Sequence, residues 1–238
     1  FDAYDAALPA HARMVVLCSP HNPGGRVWSR AELEQVAAFA KRHDLILVSD
    51  EIHHDLTFGV KHTPMALIEG IANRLIMMTA STKTFNIAGC HSGNVIIDDP
   101  DLRARFSKRM QGLGLSPNSF GLHMVTAAYS PQGAEWVDEL MRYLDGNRQI
   151  FDAGINAIPG VKSMNLDSTY LAWVDFSGTG MTLDEVIARV QKQAKIAANY
   201  GPTFGTGGET FLRFNIGTAR ANVERAVANM QAAFADLQ

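Results

Sequence analysis

Short apolar runs that alternate with amphipathic stretches constrain this 238-residue chain more than any other feature. The first run, Met14–Cys18, ends in a Pro/Asn/Gly turn, and Ser29 with Glu32 then forms a capping box ahead of apolar residues at helical spacing. The same pattern predicts strands near 45–48, 75–78 and 93–97 and helices near 101–112 and 118–129. This alternation predicts an α/β fold with a mostly parallel sheet covered by helices on both faces.

The chain from residue 132 onward has a second pattern of this kind. In order, it contains a largely helical stretch from 132 to about 158, a strand at 170–176, a capping box at Thr182 and Glu185, and a strand at 211–216. A final helix carries five apolar residues on one face: Val223, Val227, Met230, Phe234 and Leu237. We therefore expect a large domain over residues 1–131, an interdomain helix over 132–158 and a smaller C-terminal α/β domain over 159–238.

Composition argues against several classes of protein. A formal net charge of −3 provides no basic field for a phosphate backbone, so we expect no nucleic-acid partner. Cys18 and Cys90 are the only cysteines, which argues against a disulfide framework and favours a reducing, cytoplasmic setting. No apolar run approaches the roughly 18–20 residues of a membrane span, so we expect no membrane partner.

Polar residues follow three of the predicted strands, at the edge where ligands bind in sheets of this kind. Asn22 follows the first strand in His-Asn-Pro-Gly-Gly, Asp50 follows the second, and Lys83 follows the third in Ala-Ser-Thr-Lys. Pyridoxal 5'-phosphate requires an amine that forms a Schiff base, an acid beside its pyridine nitrogen, a donor near its phenolic oxygen and anchors for its phosphate. The three residues together predict a site for this cofactor, with Lys83 as the catalytic residue.

Taken alone, each of these residues has an ordinary alternative. Lys83 fits an exposed loop lysine, Asp50 a carboxylate that caps a loop, and Asn22 a plain turn. His53 follows Asp50 by three residues and is either a further cofactor-binding residue or a loop histidine. A metal-site alternative rests on four residues, Glu51, His53, His54 and Asp55. Adjacent histidines without a further spaced ligand are poor evidence for such a site, so we expect no metal.

The phosphate and the substrate have their own candidate partners. The hydroxyls of Ser81 and Thr82, together with Thr79, are candidate donors to the phosphate, and the sequence does not separate them. Arg213 lies on an apolar strand behind a Gly-Thr-Gly-Gly turn, where its guanidinium is suited to hold a substrate carboxylate through two parallel hydrogen bonds. A surface arginine on an edge strand fits the same pattern.

At these residues the chain resembles the fold-type I pyridoxal-phosphate enzymes, the class I/II aminotransferase superfamily. Its segments HNPGGRVW, SDEIHHDL and TKTFNIAG are most similar to the cystathionine β-lyase branch of carbon–sulfur lyases, the MalY/PatB type. The resemblance implies that Lys83 forms the Schiff base and that Asp50 pairs with the pyridine nitrogen. It also implies that Asn22 contacts the phenolic oxygen and that Arg213 holds the substrate α-carboxylate. His53 stands where aminotransferases of the superfamily usually have tyrosine, which favours the lyase branch.

The activity implied by the resemblance is β-elimination from S-substituted cysteines such as cystathionine, giving thiol, pyruvate and ammonia. A class I/II aminotransferase uses the same residues and is the alternative, and a truncated, non-catalytic interaction module is a second one. Many relatives place a phosphate-binding arginine eight residues after the lysine, where this chain has His91. Relatives also carry a substantial part before the position of Phe1, so we expect that an N-terminal part is missing here. For the full-length protein we expect a homodimer that acts on a small amino-acid substrate.

Overall fold

The computed structural model of the chain describes residues 1–237, which form two compact units. The first unit comprises Phe1–Pro20 and Val27–Val137, and the second comprises His21–Arg26 and the chain from Asp138 onward. The helices are α1 (Asp2–Ala7), α2 (Arg30–Arg42), α3 (Ser81–Thr84), α4 (Pro100–Gly112), α5 (Ser119–Ala128), α6 (Pro131–Asn156), α7 (Leu183–Ala188) and α8 (Arg220–Ala233). The strands are β1 (Met14–Cys18), β2 (Ile46–Asp50), β3 (Leu75–Thr79), β4 (Asn94–Ile96), β5 (Lys162–Ser163), β6 (Leu171–Asp175), β7 (Asn199–Tyr200) and β8 (Phe211–Asn215). The division between the units falls within α6.

The sheet of the first unit has the order β1-β2-β3-β4. The first three strands are parallel, with Asp50 opposite Cys18 on one side and opposite Met78 on the other, whereas β4 runs antiparallel to β3. Parallel pairing requires crossover connections, and the chain supplies α2 between β1 and β2. The strands β1, β2 and β3 therefore end at the same edge of the sheet.

Both faces of this sheet are covered, because successive strand residues point to opposite sides. On one face Leu47 of β2 and Met77 of β3 pack in a buried cluster with Leu33 of α2. On the other face Val48 and Ile76 pack with residues of α4 such as Leu102. The predicted α/β fold with a mostly parallel, helix-covered sheet is confirmed. Among residues 1–237, no helix combines the length and apolar character that crossing a membrane would need.

Both predicted capping boxes are present. The Ser29 side chain accepts a hydrogen bond from the Glu32 backbone N–H at 3.3 Å, and the Glu32 carboxylate accepts one from the Ser29 N–H at 2.9 Å. Thr182 and Glu185 make the same reciprocal pair ahead of α7. These bonds satisfy backbone donors that a helix start leaves without an internal partner, which explains why α2 and α7 begin where the sequence predicts.

The sheet of the second unit is antiparallel and has the order β5-β6-β8-β7. The sequence predicts β6 and β8 but not β5 and β7, since a two-residue strand has no measurable periodicity. Because β8 lies between β6 and β7, the edge-strand alternative for Arg213 is wrong. The fully buried Asn147 of α6 donates through Nδ2 to the carbonyl oxygens of Ile216 and Thr218 at 2.9 Å, which ties the end of β8 to α6.

Two differences from the expected elements affect the candidate site. Strand β2 continues two residues beyond the predicted end, so Asp50 is its last residue. Lys83 lies in a helical turn, α3, where the sequence predicts a loop. No side chain caps this turn, so no sequence signal marked it.

Replacing Ser29 tests the contribution of the first capping box. We expect Ser29→Ala to lower the free energy of unfolding by about 1 kcal/mol, because one helix-start donor loses its partner. Ser107→Ala on the exposed side of α4 is the control and should be neutral or slightly stabilising, since alanine favours helix. Urea unfolding followed by circular dichroism measures both; equal losses would contradict a specific role for the cap.

Candidate active site

The carboxyl ends of β2 and β3 carry one group of the predicted site residues, all in the first unit. Asp50 ends β2 half-buried, and its Oδ1 accepts a hydrogen bond from the Ile52 N–H at 3.3 Å. His53 lies in the turn that follows and is only 2% exposed. Since β2 and β3 are adjacent and parallel, Asp50 and the start of α3 lie at the same edge of the sheet. The structure thus places Asp50 and Lys83 at neighbouring strand ends.

The turn α3 brings the predicted hydroxyl residues and the lysine together. Ser81 and Thr82 are buried, whereas Lys83 is partly exposed. The Oγ of Ser81 is buried and has no hydrogen-bond partner among residues 1–237. Burying a hydroxyl without a partner is unfavourable, so this atom is suited to bond with a bound group. Thr79, the third candidate, instead accepts a hydrogen bond from Asn94 at 3.3 Å.

A buried carboxylate lies next to Asp50, and no local sequence pattern predicts its burial. Glu51 is 1% exposed and accepts hydrogen bonds from the Ser49 hydroxyl at 2.8 Å, the Met65 N–H at 2.9 Å and Nε2 of His62 at 2.7 Å. Its partners lie up to 14 residues away, beyond the range of any local motif. Glu51 therefore holds the segment that follows Asp50 in place. Among residues 1–237, no three His, Cys, Asp or Glu side chains converge where they could hold a metal ion.

A second group of predicted residues lies in the second unit. Arg213 on β8 donates from Nη1 to the side-chain oxygen of Asn22 at 2.7 Å and from Nη2 to that of Asn199 at 2.8 Å. The Phe204 ring lies 4.6 Å from its guanidinium carbon, a cation–π contact. Burial lowers the pKa of Arg213, and the nearby Tyr170 acts in the opposite direction. The structure brings Asn22 and Arg213 together, and the sequence analysis missed Asn199 and Phe204.

The turn that carries Asn22 depends on a neutral histidine. Nδ1 of His21 accepts a hydrogen bond from the Gly24 N–H at 3.2 Å, so this nitrogen must be unprotonated. Burial, followed by the charge of Arg26, lowers the pKa of His21 below its ordinary value of 6.5. Gly25 adopts φ +67, a left-handed conformation that favours glycine, and its carbonyl accepts from the N–H groups of Asp167 and Ser168.

Comparison with known proteins gives the same assignment as the motifs. The family described as Aminotransferase class I and II matches residues 1–230. The chain belongs to this family. Cystathionine β-lyase PatB of Bacillus subtilis is 40% identical to this family member over 224 residues, which are 92% of this chain and 58% of that protein. Protein MalY of Escherichia coli is 34% identical over 222 residues, which are 92% of this chain and 56% of that protein.

A solved structure resembles this class I/II family member along almost its whole length. Cystalysin from Treponema denticola, whose crystal structure contains pyridoxal 5'-phosphate, has a TM-score of 0.89 and 34% identity. The match covers 95% of this chain and 58% of cystalysin. The chain therefore spans somewhat more than half the length of these relatives, and the similarity to the MalY/PatB type predicted from its motifs is confirmed.

Removing Glu51 tests whether its buried carboxylate fixes the chain after β2. We expect Glu51→Ala to lower the free energy of unfolding by about 3–5 kcal/mol, because it leaves buried donors on Ser49, His62 and Met65 without an acceptor. Glu69→Ala on the surface should cost less than about 0.5 kcal/mol. Urea unfolding of both variants measures the difference, and a small loss for Glu51→Ala would contradict the assigned role.

The His21 turn predicts a pH dependence of stability. As pH falls below about 6.5, the unfolded chain binds a proton at His21 before the folded chain does, so folding stability decreases. His21→Asn keeps an acceptor near the Nδ1 position but does not titrate, so it should lose less stability than the wild type between pH 7.5 and 5.5. Urea midpoints at both pH values measure this, and His11→Asn at an exposed histidine is the control.

Proposed function

We propose that the full-length protein is a pyridoxal-phosphate-dependent carbon–sulfur lyase that cleaves S-substituted cysteines such as cystathionine into thiol, pyruvate and ammonia. The observation that carries this proposal is the group of side chains at the carboxyl ends of β2 and β3. A carboxylate, a buried hydroxyl without a partner and a lysine amine follow two paired parallel strands. The 40% identity to a cystathionine β-lyase supports the choice of reaction.

The residues of the first unit fit the cofactor. Asp50 would pair with the pyridine nitrogen, and the Ile52 N–H bond keeps its carboxylate at the strand end. Ser81 would donate to the phosphate, since its buried Oγ lacks a protein partner, and Thr82 is the second hydroxyl in this turn. Lys83 would hold the cofactor through its amine, and His53 is buried in the turn after Asp50.

The chemistry that the bound cofactor supplies is electron withdrawal from the substrate α-carbon, which makes the α-proton acidic. In this proposal the Lys83 amine would remove that proton. Loss of the α-proton would allow the Cβ–S bond to break, and the thiolate would leave with the bonding electron pair. Asp50 would pair with the ring nitrogen of the bound cofactor.

The residues of the second unit would bind the substrate carboxylate. Nη1 and Nη2 of Arg213 each use one of their two N–H groups for an asparagine oxygen, so the second N–H of each would donate to the carboxylate, whereas Nε is buried. Asn22 and Asn199 hold the two Nη atoms in place. In this proposal Asn22 would contact the phenolic oxygen of the cofactor through its side-chain amide, as the resemblance implies. The proposal includes a small amino-acid substrate, a homodimer and a cytoplasmic setting, the last supported by Cys18 and Cys90, which form no disulfide within residues 1–237.

Transamination is the second candidate function, because the family that matches the chain is described by that activity. It would use the same lysine to move the α-proton but expel no leaving group. The two functions differ in their products. A lyase releases thiol and pyruvate from cystathionine alone, whereas an aminotransferase converts a 2-oxo acid into a new amino acid.

Replacing the lysine tests the proposed reaction. In the full-length protein we expect Lys83→Ala to lower the rate of thiol and pyruvate release from cystathionine by about 10³-fold or more, because the proton-transferring amine is lost. Lys61→Ala at an exposed loop lysine should retain wild-type rates. Thiol reagent and a pyruvate-coupled assay measure the two products.

Two outcomes would contradict the lyase. One is the absence of both products from the wild-type protein saturated with pyridoxal phosphate. The other is chromatographic detection of a new amino acid from a supplied 2-oxo acid at a rate above that of thiol release, which would favour transamination. A Lys83→Ala variant as active as the wild type would remove the role of Lys83 in either reaction.

A further inference from the structure

A hydrogen bond links the residue after the lysine to the turn that follows Asp50. Thr84 is 1% exposed, and its hydroxyl donates to Oδ2 of Asp55 at 2.9 Å. The two residues are 29 positions apart in the chain. Asp55 lies just beyond β2, whereas Thr84 is the last residue of α3, the turn that carries Lys83. The bond therefore joins the two segments that the proposed reaction uses.

The Asp55 carboxylate also lies beside the ring of His54. Nε2 of His54 is 3.3 Å from its Oδ1, and Nδ1 of the same ring donates to the Glu51 carbonyl at 2.7 Å, so Nε2 donates to Asp55 only in a ring that carries both protons. Tyr129 faces this carboxylate; burial, and after it the charge of Asp55, raises the pKa of the phenol. Asp55 thus belongs to the segment whose start is held by the buried Glu51.

The turn α3 needs such an external bond. Four residues make a single helical turn, which is not stable without tertiary contacts, and no side chain caps it. Its C-terminal side is held by Phe85, whose ring stacks on Trp136 at 5.4 Å between centroids. Thr84 supplies the hydrogen bond on the buried side. A shift of α3 would move the backbone of Lys83, and with it the amine, relative to Asp50.

We propose that Asp55 is a positioning residue, which acts through Thr84 to fix the Lys83 turn relative to the strand end that bears Asp50. The inference rests on the proposed function, because it concerns the placement of the reacting lysine. It predicts that losing the bond slows proton transfer at the lysine, whereas substrate binding through Arg213 is unchanged. The rate of proton transfer depends on the Thr84–Asp55 hydrogen bond and not on the size of either side chain.

Variants of both residues test this in the full-length protein loaded with pyridoxal phosphate. We expect Thr84→Val, which keeps the shape but removes the donor, to lower kcat about tenfold or more with KM within about threefold of the wild type. Asp55→Ala should have a similar effect. The double variant should be no slower than the slower single variant, because each substitution breaks the same bond. Thr84→Ser keeps the hydroxyl and should restore most of kcat.

Measurements that do not depend on turnover separate positioning from general damage. The absorption band of the bound cofactor should shift or broaden in Thr84→Val and return in Thr84→Ser, since the band reports the surroundings of the lysine-bound ring. Urea unfolding of the cofactor-free proteins gives the stability change. Thr126→Val, which removes a hydroxyl bonded to the Leu122 carbonyl on α5, should leave kcat and the band unchanged.

Labelling of the wild type distinguishes this inference from the proposed function. Borohydride reduction should attach the cofactor to Lys83, as found by peptide mass spectrometry. An unlabelled Lys83 would overturn the proposed function and the positioning role with it. A labelled wild type whose Thr84→Val variant keeps kcat and the absorption band would overturn the positioning role alone. Two further results would also overturn the positioning role alone. One is a double variant whose loss of kcat equals the combined losses of the two single variants. The other is a Thr84→Val variant that is less stable but keeps the wild-type kcat per bound cofactor.

Discussion

The parallel pairing of β1, β2 and β3 is the constraint on which the first unit depends. With Asp50 opposite Cys18 and Met78, the alternation of side chains sends Leu47 into one buried cluster and Val48 into the other. A one-residue slip would exchange the two faces of β2 and displace its last residue from the edge of the sheet. The packing of the core and the position of the candidate functional carboxylate are therefore set by the same register.

Two carboxylates that follow Asp50 connect the end of β2 to neighbouring segments through hydrogen bonds. Glu51 lies on the side of the sheet occupied by the Leu47 cluster and reaches the Met65 backbone there, while Asp55 bonds to Thr84 of α3. A buried carboxylate is stable only when its oxygens are hydrogen-bonded, so Glu51 cannot move without losing its bonds to Ser49, His62 and Met65, whereas the partly exposed Asp55 would lose its bond to Thr84. The segment between β2 and α3 is accordingly held by these polar contacts as well as by buried apolar residues such as Met65 and Ile71.

The elements predicted correctly from the sequence are those with local, repeated signals. The alternation of β1, β2 and β3 with helices, the capping boxes at Ser29 and Thr182, and the apolar face of α8 are of this kind. The elements that were missed depend on distant partners. β5 and β7 are two residues long and exist through pairing with their neighbours, and α3 lacks a cap.

The same distinction applies to the candidate site. The motifs around Asn22, Asp50 and Lys83 suffice to predict the family and the branch that the chain resembles, because residue type and order carry that information. The contact partners of the site residues could not be predicted from the sequence. Glu51 meets His62 across 11 positions and Arg213 meets Asn22 across 191, and no local pattern encodes such contacts. The roles of the individual site residues stay predictions until the variants are measured.

The bonds of Arg213 have a consequence for how this residue can discriminate between molecules. Both of its Nη atoms already donate to amide oxygens, of Asn22 and Asn199, and its guanidinium lies against an aromatic ring. A site that leaves its polar groups unsatisfied rejects a molecule without the matching group through a penalty. The two amides are neutral and Nε is buried with no hydrogen-bond partner among residues 1–237, so these two bonds do not compensate the guanidinium charge. In the proposed substrate-binding role, an amine without a carboxylate would leave that charge without a counter-ion, and Arg213 would select against amides and esters of amino acids through this penalty.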